Sequence, residues 1–416
     1  MTRSVDVAVI GGGVIGLSIA REAAQRGAEV IVIEADRLGQ AASFANAGLI
    51  VPSFSLPLAN PEAIKGLPDL LWGEDKSLKL KLRFDIGFLR WMLAFLASSR
   101  QDKMLETAAR ISRLAQQSQS LLANWDPEGS QFGYRQRGWL HLYQSESGWQ
   151  SGLKEAELLR GLGVRVEQME SAQVLSEEPS LGSGIVGGLY YPEEARLRPY
   201  EFCNWLAEQA RRSGVQILES VPVTRLNASK HRVASVDLPG RQIAAKSYVL
   251  AAGAWSGHLA RPLIGWLPLE PAKGYSLTYR APAIKPTRPL MWAEKHVVIT
   301  PYDDRLRLTT GLDLVGFDDG VDRAMIAKLR KTAGTWLTGD DANAGGEPWY
   351  GYRPLTPDGL PILGPTAEYP NLFIATGHGQ LGITLAPISG QIVAAQVAGD
   401  DPGPDAIPVS PARFGL

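Results

Sequence analysis

The chain has 416 residues, a length that at roughly 150 residues per domain suits two or three domains around a large core. It is 45% hydrophobic and 20% charged, which is globular, and 42 Lys+Arg against 43 Asp+Glu leave a formal net charge of -1, too little to draw the molecule to nucleic acid or anionic lipid. The single cysteine, Cys203, can form no intrachain disulfide, and the scattered histidines give no metal-ligand spacing, so a zinc or iron–sulfur site is not expected.

Met1 to Ile10 lacks a signal peptide's long apolar core, and no uncharged apolar run reaches the roughly 20 residues of a bilayer span, so a cytoplasmic protein is expected. No G-x-S-x-G, H-E-x-x-H or Gly-Lys dipeptide offers a hydrolase or phosphate-loop reading. In chain order the first element is Asp6-Val-Ala-Val-Ile10, a strand-length apolar run that enters Gly11-Gly12-Gly13-Val14-Ile15-Gly16. A helical pattern follows over 17–26, stopped by Gly27, and Val30-Ile-Val-Ile33 is a second strand closed by Glu34. Gly11 permits the tight turn, Gly13 lets a pyrophosphate approach the backbone, and Gly16 lets helix and strand pack closely. The diphosphate would rest on the helix N-terminus, and Glu34 would accept hydrogen bonds from ribose hydroxyls. On these residues alone NAD and FAD are both open.

Beyond Glu34 comes a small-residue stretch, Gly39-Gln-Ala-Ala-Ser43-Phe-Ala-Asn46-Ala47-Gly48, suited to lying flat on a ligand. The segment 76–83 is locally basic, and Phe88, Trp91, Met92, Phe95 and Leu96 fall on one helical face, which reads as a peripheral membrane contact through residues 76–96 or as a lid helix of the substrate domain. Gly138-Trp-Leu-His-Leu-Tyr143 and Arg305-Leu-Arg-Leu-Thr-Thr310 have strand patterning. Cys203 falls in an amphipathic helix from Pro199 and reads as core. Gly214-Val-Gln-Ile217 and Val221-Pro-Val223 read as strand, Ser247 to Gly253 as a strand ending in glycine, and about 381–398 as a helix whose N–H groups point at developing negative charge.

Four segments carry a resemblance: the glycine turn, Ser247-Tyr-Val-Leu-Ala-Ala-Gly253-Ala-Trp255, Trp349-Tyr-Gly351-Tyr-Arg353-Pro-Leu-Thr-Pro-Asp358-Gly359, and Gly377-His378-Gly379-Gln380-Leu381-Gly382-Ile383-Thr384. Together they resemble the D-amino-acid oxidase superfamily of flavoproteins over residues 6 to about 399. Pro271-Ala-Lys273-Gly274-Tyr275-Ser276 and the long insertion at 54–100 are similar to its bacterial D-amino acid dehydrogenase group, small-subunit type.

The resemblance implies an α/β protein in which a Rossmann-like FAD-binding domain (1–53, 196–265 and 348–416) interleaves with a mixed-sheet substrate domain (54–195 and 266–347). It implies non-covalent FAD, held by Gly11, Gly13, Val14, Ile15, Gly16, Glu34, Ala35, Ser43, Asn46, Ala47, Gly48 and Leu49, then by Val223, Ala252, Gly253, Trp255, Gly351 and Arg353. Gly377, His378, Gly379, Leu381, Gly382, Ile383 and Thr384 complete that set. The reaction it implies is oxidative deamination of a D-amino acid to a 2-oxo acid by hydride transfer to flavin N5, with electrons passed to a quinone or carrier. The alternative is oxidation of a secondary amine, D-hydroxyproline or an opine, as the catalytic subunit of a hetero-oligomer.

Arg353 is the candidate grip for a substrate carboxylate, because a guanidinium takes a carboxylate in a bidentate fork; its bland reading is an ion pair with Asp358. His378 and Gln380 are candidates for substrate or proton handling, His378 acting through side chain or backbone. Tyr275 is the first of three tyrosines, with Tyr302 and Tyr352, that could supply a hydroxyl. The pocket tyrosine of glycine oxidase-like members is missing from Val297-Val298-Ile299. An NAD-dependent dehydrogenase and a non-catalytic flavin scaffold are the readings from other classes.

Overall fold

The computed structural model describes residues 4–65, 79–81, 83, 85–280, 285–336 and 345–416. Among them two eight-stranded sheets dominate. The first is organised around Ser4–Ile10, whose continuous apolar run suits a strand covered on both faces. It pairs in parallel with Val30–Ile33 and with Arg241–Leu250, and Val30–Ile33 pairs in parallel with Gln216–Leu218. Leu372–Thr376 joins the far side of Arg241–Leu250, also in parallel. Two helices cover one face and pack on each other, Val14–Gln25 and Gly382–Ala398, so closely that a Cβ on Gly390 would lie 3.0 Å from the backbone of Ser18.

The second sheet runs Glu347–Leu355, Glu270–Arg280, Arg305–Asp313, Val297–Pro301, Leu290–Trp292, Trp139–Tyr143, Gly187–Tyr191, Glu167–Glu170. It is antiparallel except where Leu290–Trp292 runs parallel to Trp139–Tyr143, so it is mixed, as the alternation of Trp, Tyr and β-branched residues suggested.

Three sequence expectations change. Glu347–Leu355, grouped by sequence with the dinucleotide segments, pairs with Glu270–Arg280 along its whole length and belongs to the second sheet. Val221–Val223 is not a strand: Pro222 has no N–H, and Val221 makes its bond to the Glu34 carbonyl from an irregular segment. The aromatic face assigned to helix Ile86–Ser98 turns inward, with Phe88, Trp91 and Phe95 buried, because the indole N–H of Trp91 finds its acceptor at the Leu355 carbonyl, 3.1 Å away. The outward face is Ile86, Leu89, Leu93 and Leu96 instead. Residues 76–78 and 82 of the basic stretch lie outside the described residues.

Contrary to the expectation that no uncharged apolar run reaches bilayer length, Gly379–Ala398 is long and apolar enough to cross a membrane, but most of it is buried between the first sheet and its neighbours, as a core helix is. Cys203 is buried in the helix Pro199–Arg212, and burial pushes its thiol up to about 12.

Candidate functional site

A cavity of about 730 Å³ lies between the sheets, within the usual range for ligand pockets. One end is the glycine turn. Gly11 has φ +111°, and a Cβ there would fall 2.4 Å from the carbonyl oxygen of Ala251; one on Gly16 would fall 1.9 Å from that of Gly11. At Gly13 the nearest atom to such a Cβ is the Ser43 hydroxyl at 3.5 Å, so this is the place where the backbone is open to a diphosphate. Gly11 and Gly13 line the cavity while Gly16 does not, so Gly16 acts by letting the helix sit on its strand.

Glu34 also lines this end, one carboxylate oxygen accepting from the Gly12 N–H at 2.6 Å and the other from the Asp36 N–H at 3.0 Å. Each oxygen keeps a lone pair for a ribose hydroxyl. Ser43 accepts from the Val14 N–H at 3.2 Å, joining the small-residue stretch to the start of the helix. These features fit the adenosine and diphosphate of a dinucleotide: a cradle that a Cβ would fill, a helix N-terminus, and an acid at the strand end.

At the other end the second sheet supplies the wall. Arg353 is partly buried and lines the cavity, and desolvation lowers its guanidinium to about 10, so it stays charged at neutral pH. Its Nη1 donates to the Gly311 carbonyl. The guanidinium lies on Gly274, where a Cβ would fall 2.5 Å from Cζ and from both Nη atoms. Gly274 faces Gly351 in the ladder, and a Cβ on Gly351 would strike the ring of Trp349. Two facing glycines therefore clear the space in which Arg353 and Trp349 reach the cavity. Asp358 pairs with Arg413 at 2.7 Å, so the ion pair with Arg353 does not form.

Tyr275 also lines the cavity, and its hydroxyl donates to Asp313 Oδ2 at 2.8 Å. The other oxygen of Asp313 has no partner, and burial raises its carboxyl. The same burial raises Tyr275 above the ordinary phenol value, so the pair carries its proton on the phenol. Tyr302 lies away from the cavity, its hydroxyl turned to the Ala47 and Leu197 carbonyls, each at 3.3 Å. Tyr352 lines the cavity and bonds to the backbone of Asp318.

The glycine-rich turn before the last long helix is at this end too. Gly379, Gln380, Leu381, Gly382 and Ile383 line the cavity, Gln380 from an exposed position at the rim. His378 lines it as well, but its ring is buried, with Nε2 bonded to Ser389 Oγ at 2.9 Å, and burial lowers the imidazole to about 3. Nε2 of the neutral ring is thus tied to the helix, while Nδ1 is buried without a partner among the described residues. Gly377 and Thr384 do not line the cavity: Gly377, at φ +82°, abuts Thr356, and the Thr384 hydroxyl donates to the Leu49 carbonyl at 3.1 Å. The remaining residues of the expected cofactor set do line it, including Val223, Gly253 and Trp255.

Sequence reasoning missed the apolar wall. Phe54, Leu58, Trp139, Met291, Val298 and Trp349 line the cavity and come from four regions distant in the chain, Met291 and Val298 facing each other on paired strands. Phe54 packs on Trp139 at 6.0 Å between ring centroids. Beneath them Glu194, buried, accepts from the Ser53 N–H at 2.8 Å and leaves its other oxygen without a partner. Burial pushes its carboxyl up to about 8, so it is largely protonated at neutral pH. Glu194 thus fixes the loop that carries Phe54, and no local pattern in the sequence marks it.

The pattern of the family described as DAO, FAD dependent oxidoreductase, matches residues 6–396. The chain is 34% identical to a D-amino acid dehydrogenase of Vibrio cholerae over 400 residues, 94% of each protein. It is 35% identical to D-amino acid dehydrogenase 2 of Pseudomonas aeruginosa over 413 residues, 96% of each. Among solved structures, glycine oxidase from Geobacillus kaustophilus superposes with a TM-score of 0.76 at 26% identity over 98% of each chain. The L-proline dehydrogenase of P. horikoshii, 20% identical, shares the fold with a TM-score of 0.75 over 100% of this chain and 98% of that one. The glycine turn, the acid at the strand end and the match across nearly the whole length agree, and the chain belongs to the DAO family of FAD dependent oxidoreductases.

Proposed function

We propose that this protein oxidises D-amino acids to 2-oxo acids and passes the electrons to a quinone or carrier. The observation that carries the reading is the Arg353 guanidinium on its glycine seat, lining the end of the cavity away from the dinucleotide cradle. FAD, when bound, supplies the two-electron acceptor. This chain's residues bind and orient. Arg353 takes the carboxylate, Tyr275 offers a phenol held by Asp313, and the amides opening the helix Gly382–Ala398 favour negative charge in front of them. No side-chain base is needed if the amine binds neutral, since alignment of the reacting bond is itself a large part of the barrier.

The wall of Phe54, Leu58, Met291, Val298 and Trp349 has no charged member, which favours substrates with apolar side chains. The cofactor is held without a covalent bond: Cys203 does not line the cavity, and its thiol is kept protonated by burial. The FAD-binding domain consists of 1–53, 196–265 and about 356–416, with 347–355 moved to the substrate domain on account of its strand pairing.

The outward face Ile86, Leu89, Leu93 and Leu96 rests on a bilayer surface, from which a quinone is reached; Ile86 is 73% and Leu93 68% exposed, unlike the aromatic residues behind them. Lys79 and Arg83 are already paired with Asp322 and Glu270, so this contact is mainly apolar.

The test is anaerobic bleaching of the flavin absorbance across D-amino acids, N-alkyl amino acids and cyclic imino acids. Bleaching by D-methionine or D-leucine at the highest rates supports the reading. Bleaching by N-alkyl or cyclic substrates alone would assign the protein to secondary amines.

A further inference from the structure

A second cavity, of about 240 Å³, lies apart from the first. Three arginines, Arg135, Arg196 and Arg198, line it together with two acids, Glu201 and Asp303. The Arg135 guanidinium is held by the carbonyls of Glu128 and Tyr134, not by an acid. Arg198 is shared among Asp304 at 2.8 Å, Glu201 at 3.5 Å and Asp303 at 4.0 Å. Arg196 makes no ion pair among the described residues; its guanidinium stands over the Tyr302 ring, 5.1 Å from the centroid, with Asp303 near it as an opposite charge and the two other arginines as like charges. Burial, the largest cause, lowers its guanidinium below the usual value. Three guanidiniums face the recess against the two acids that line it, and an anion between them offsets the surplus positive charge.

The recess has a connection to the first cavity. The Tyr302 hydroxyl and the Thr300 hydroxyl both donate to the Ala47 carbonyl, and the Leu197 N–H, next to Arg196, donates to the Gly48 carbonyl at 2.8 Å. Ala47 and Gly48 line the main cavity from the other side.

We propose that Arg135, Arg196 and Arg198 form a binding site for a small dissolved oxyanion, of which inorganic phosphate is the simplest case, seated behind the loop Asn46–Gly48. The anion bridges the guanidiniums and holds Tyr302, and through it the loop, in place. The site is independent of the substrate assignment.

Thermal unfolding of the FAD-loaded protein in phosphate against chloride of matched ionic strength tests it. Phosphate should raise Tm saturably by about 2 °C or more. Arg196→Gln should abolish most of that rise while leaving flavin bleaching by substrate intact, and Arg135→Gln should weaken it, which keeps the test decisive if the first variant folds poorly. No saturable rise in the wild type, or an equal rise in both variants, would overturn the site.

Discussion

The two ends of the main cavity are built in opposite ways. The dinucleotide end draws on one short region of the chain, the glycine turn at 10–15 with Glu34 and Ser43 close behind in sequence. The substrate end is assembled from the loop at Phe54, the strand at Trp139, and the strands carrying Tyr275, Met291, Val298 and Arg353. A ligand part common to many enzymes is met by backbone, whose geometry a short glycine pattern dictates. The variable part of the ligand is met by side chains whose positions depend on sheet pairing far along the chain.

The largest expected effect is at the dinucleotide end. Gly16→Val puts methyl groups where even a Cβ would be 1.9 Å from the Gly11 carbonyl oxygen, so helix and strand must part. The purified variant should be colourless, with a flavin-to-protein absorbance ratio near zero, or should fail to fold. A yellow, stoichiometric Gly16→Val would break the distinction between the two ends.

Gly274→Ala tests the other end. Its methyl meets the Arg353 guanidinium at 2.5 Å, and overpacking of this kind costs about 1–3 kcal/mol. Flavin content should be retained while KM for D-amino acids rises roughly tenfold, since 1.4 kcal/mol is a factor of ten. Loss of flavin instead would mean that the glycine serves the cofactor.

Glu194→Gln sharpens the picture of the wall. The carboxyl has its ordinary value of 4.5 when unfolded and about 8 when folded, so the folded state holds a proton that the unfolded state releases. Stability from this group is complete below about 4.5 and is lost as pH rises toward 8. The glutamine does not titrate, so the variant should gain on the wild type by up to roughly 1.4 kcal/mol per pH unit in that window. Denaturant melts at pH 5 and pH 8 measure it; equal differences at both would mean the group is ionised in the fold. The smallest effect on the fold is expected from Leu93→Glu. With Leu93 68% exposed, stability should change by less than about 0.5 kcal/mol while sedimentation with lipid vesicles is lost.

Much of the molecule was legible in the chain. The first strand, glycine turn, helix and second strand are where the apolar runs and glycines put them, because each depends on near neighbours. The cavity-lining residues of the turn at 379–383 were legible by resemblance. What was not legible depends on pairing across the chain. Glu347–Leu355 looked like part of the dinucleotide region, and only its register with Glu270–Arg280 puts Arg353 on Gly274. The helix Ile86–Ser98 has apolar residues on more than one face, so periodicity did not say which one would be buried. The sequence left His378 open between side chain and backbone, and only the fold shows that its Nε2 is bonded to Ser389 on the following helix. Glu194 gave no signal, since a buried acid without a charged partner follows no sequence pattern.

The central claim is that Arg353 holds the substrate carboxylate. It is tested most directly by anaerobic flavin reduction with increasing D-methionine, in the wild type and in Arg353→Lys. A lysine keeps the charge but loses the fork, so the substrate concentration for half-maximal reduction should rise about tenfold or more. An unchanged concentration dependence in Arg353→Lys would contradict the account.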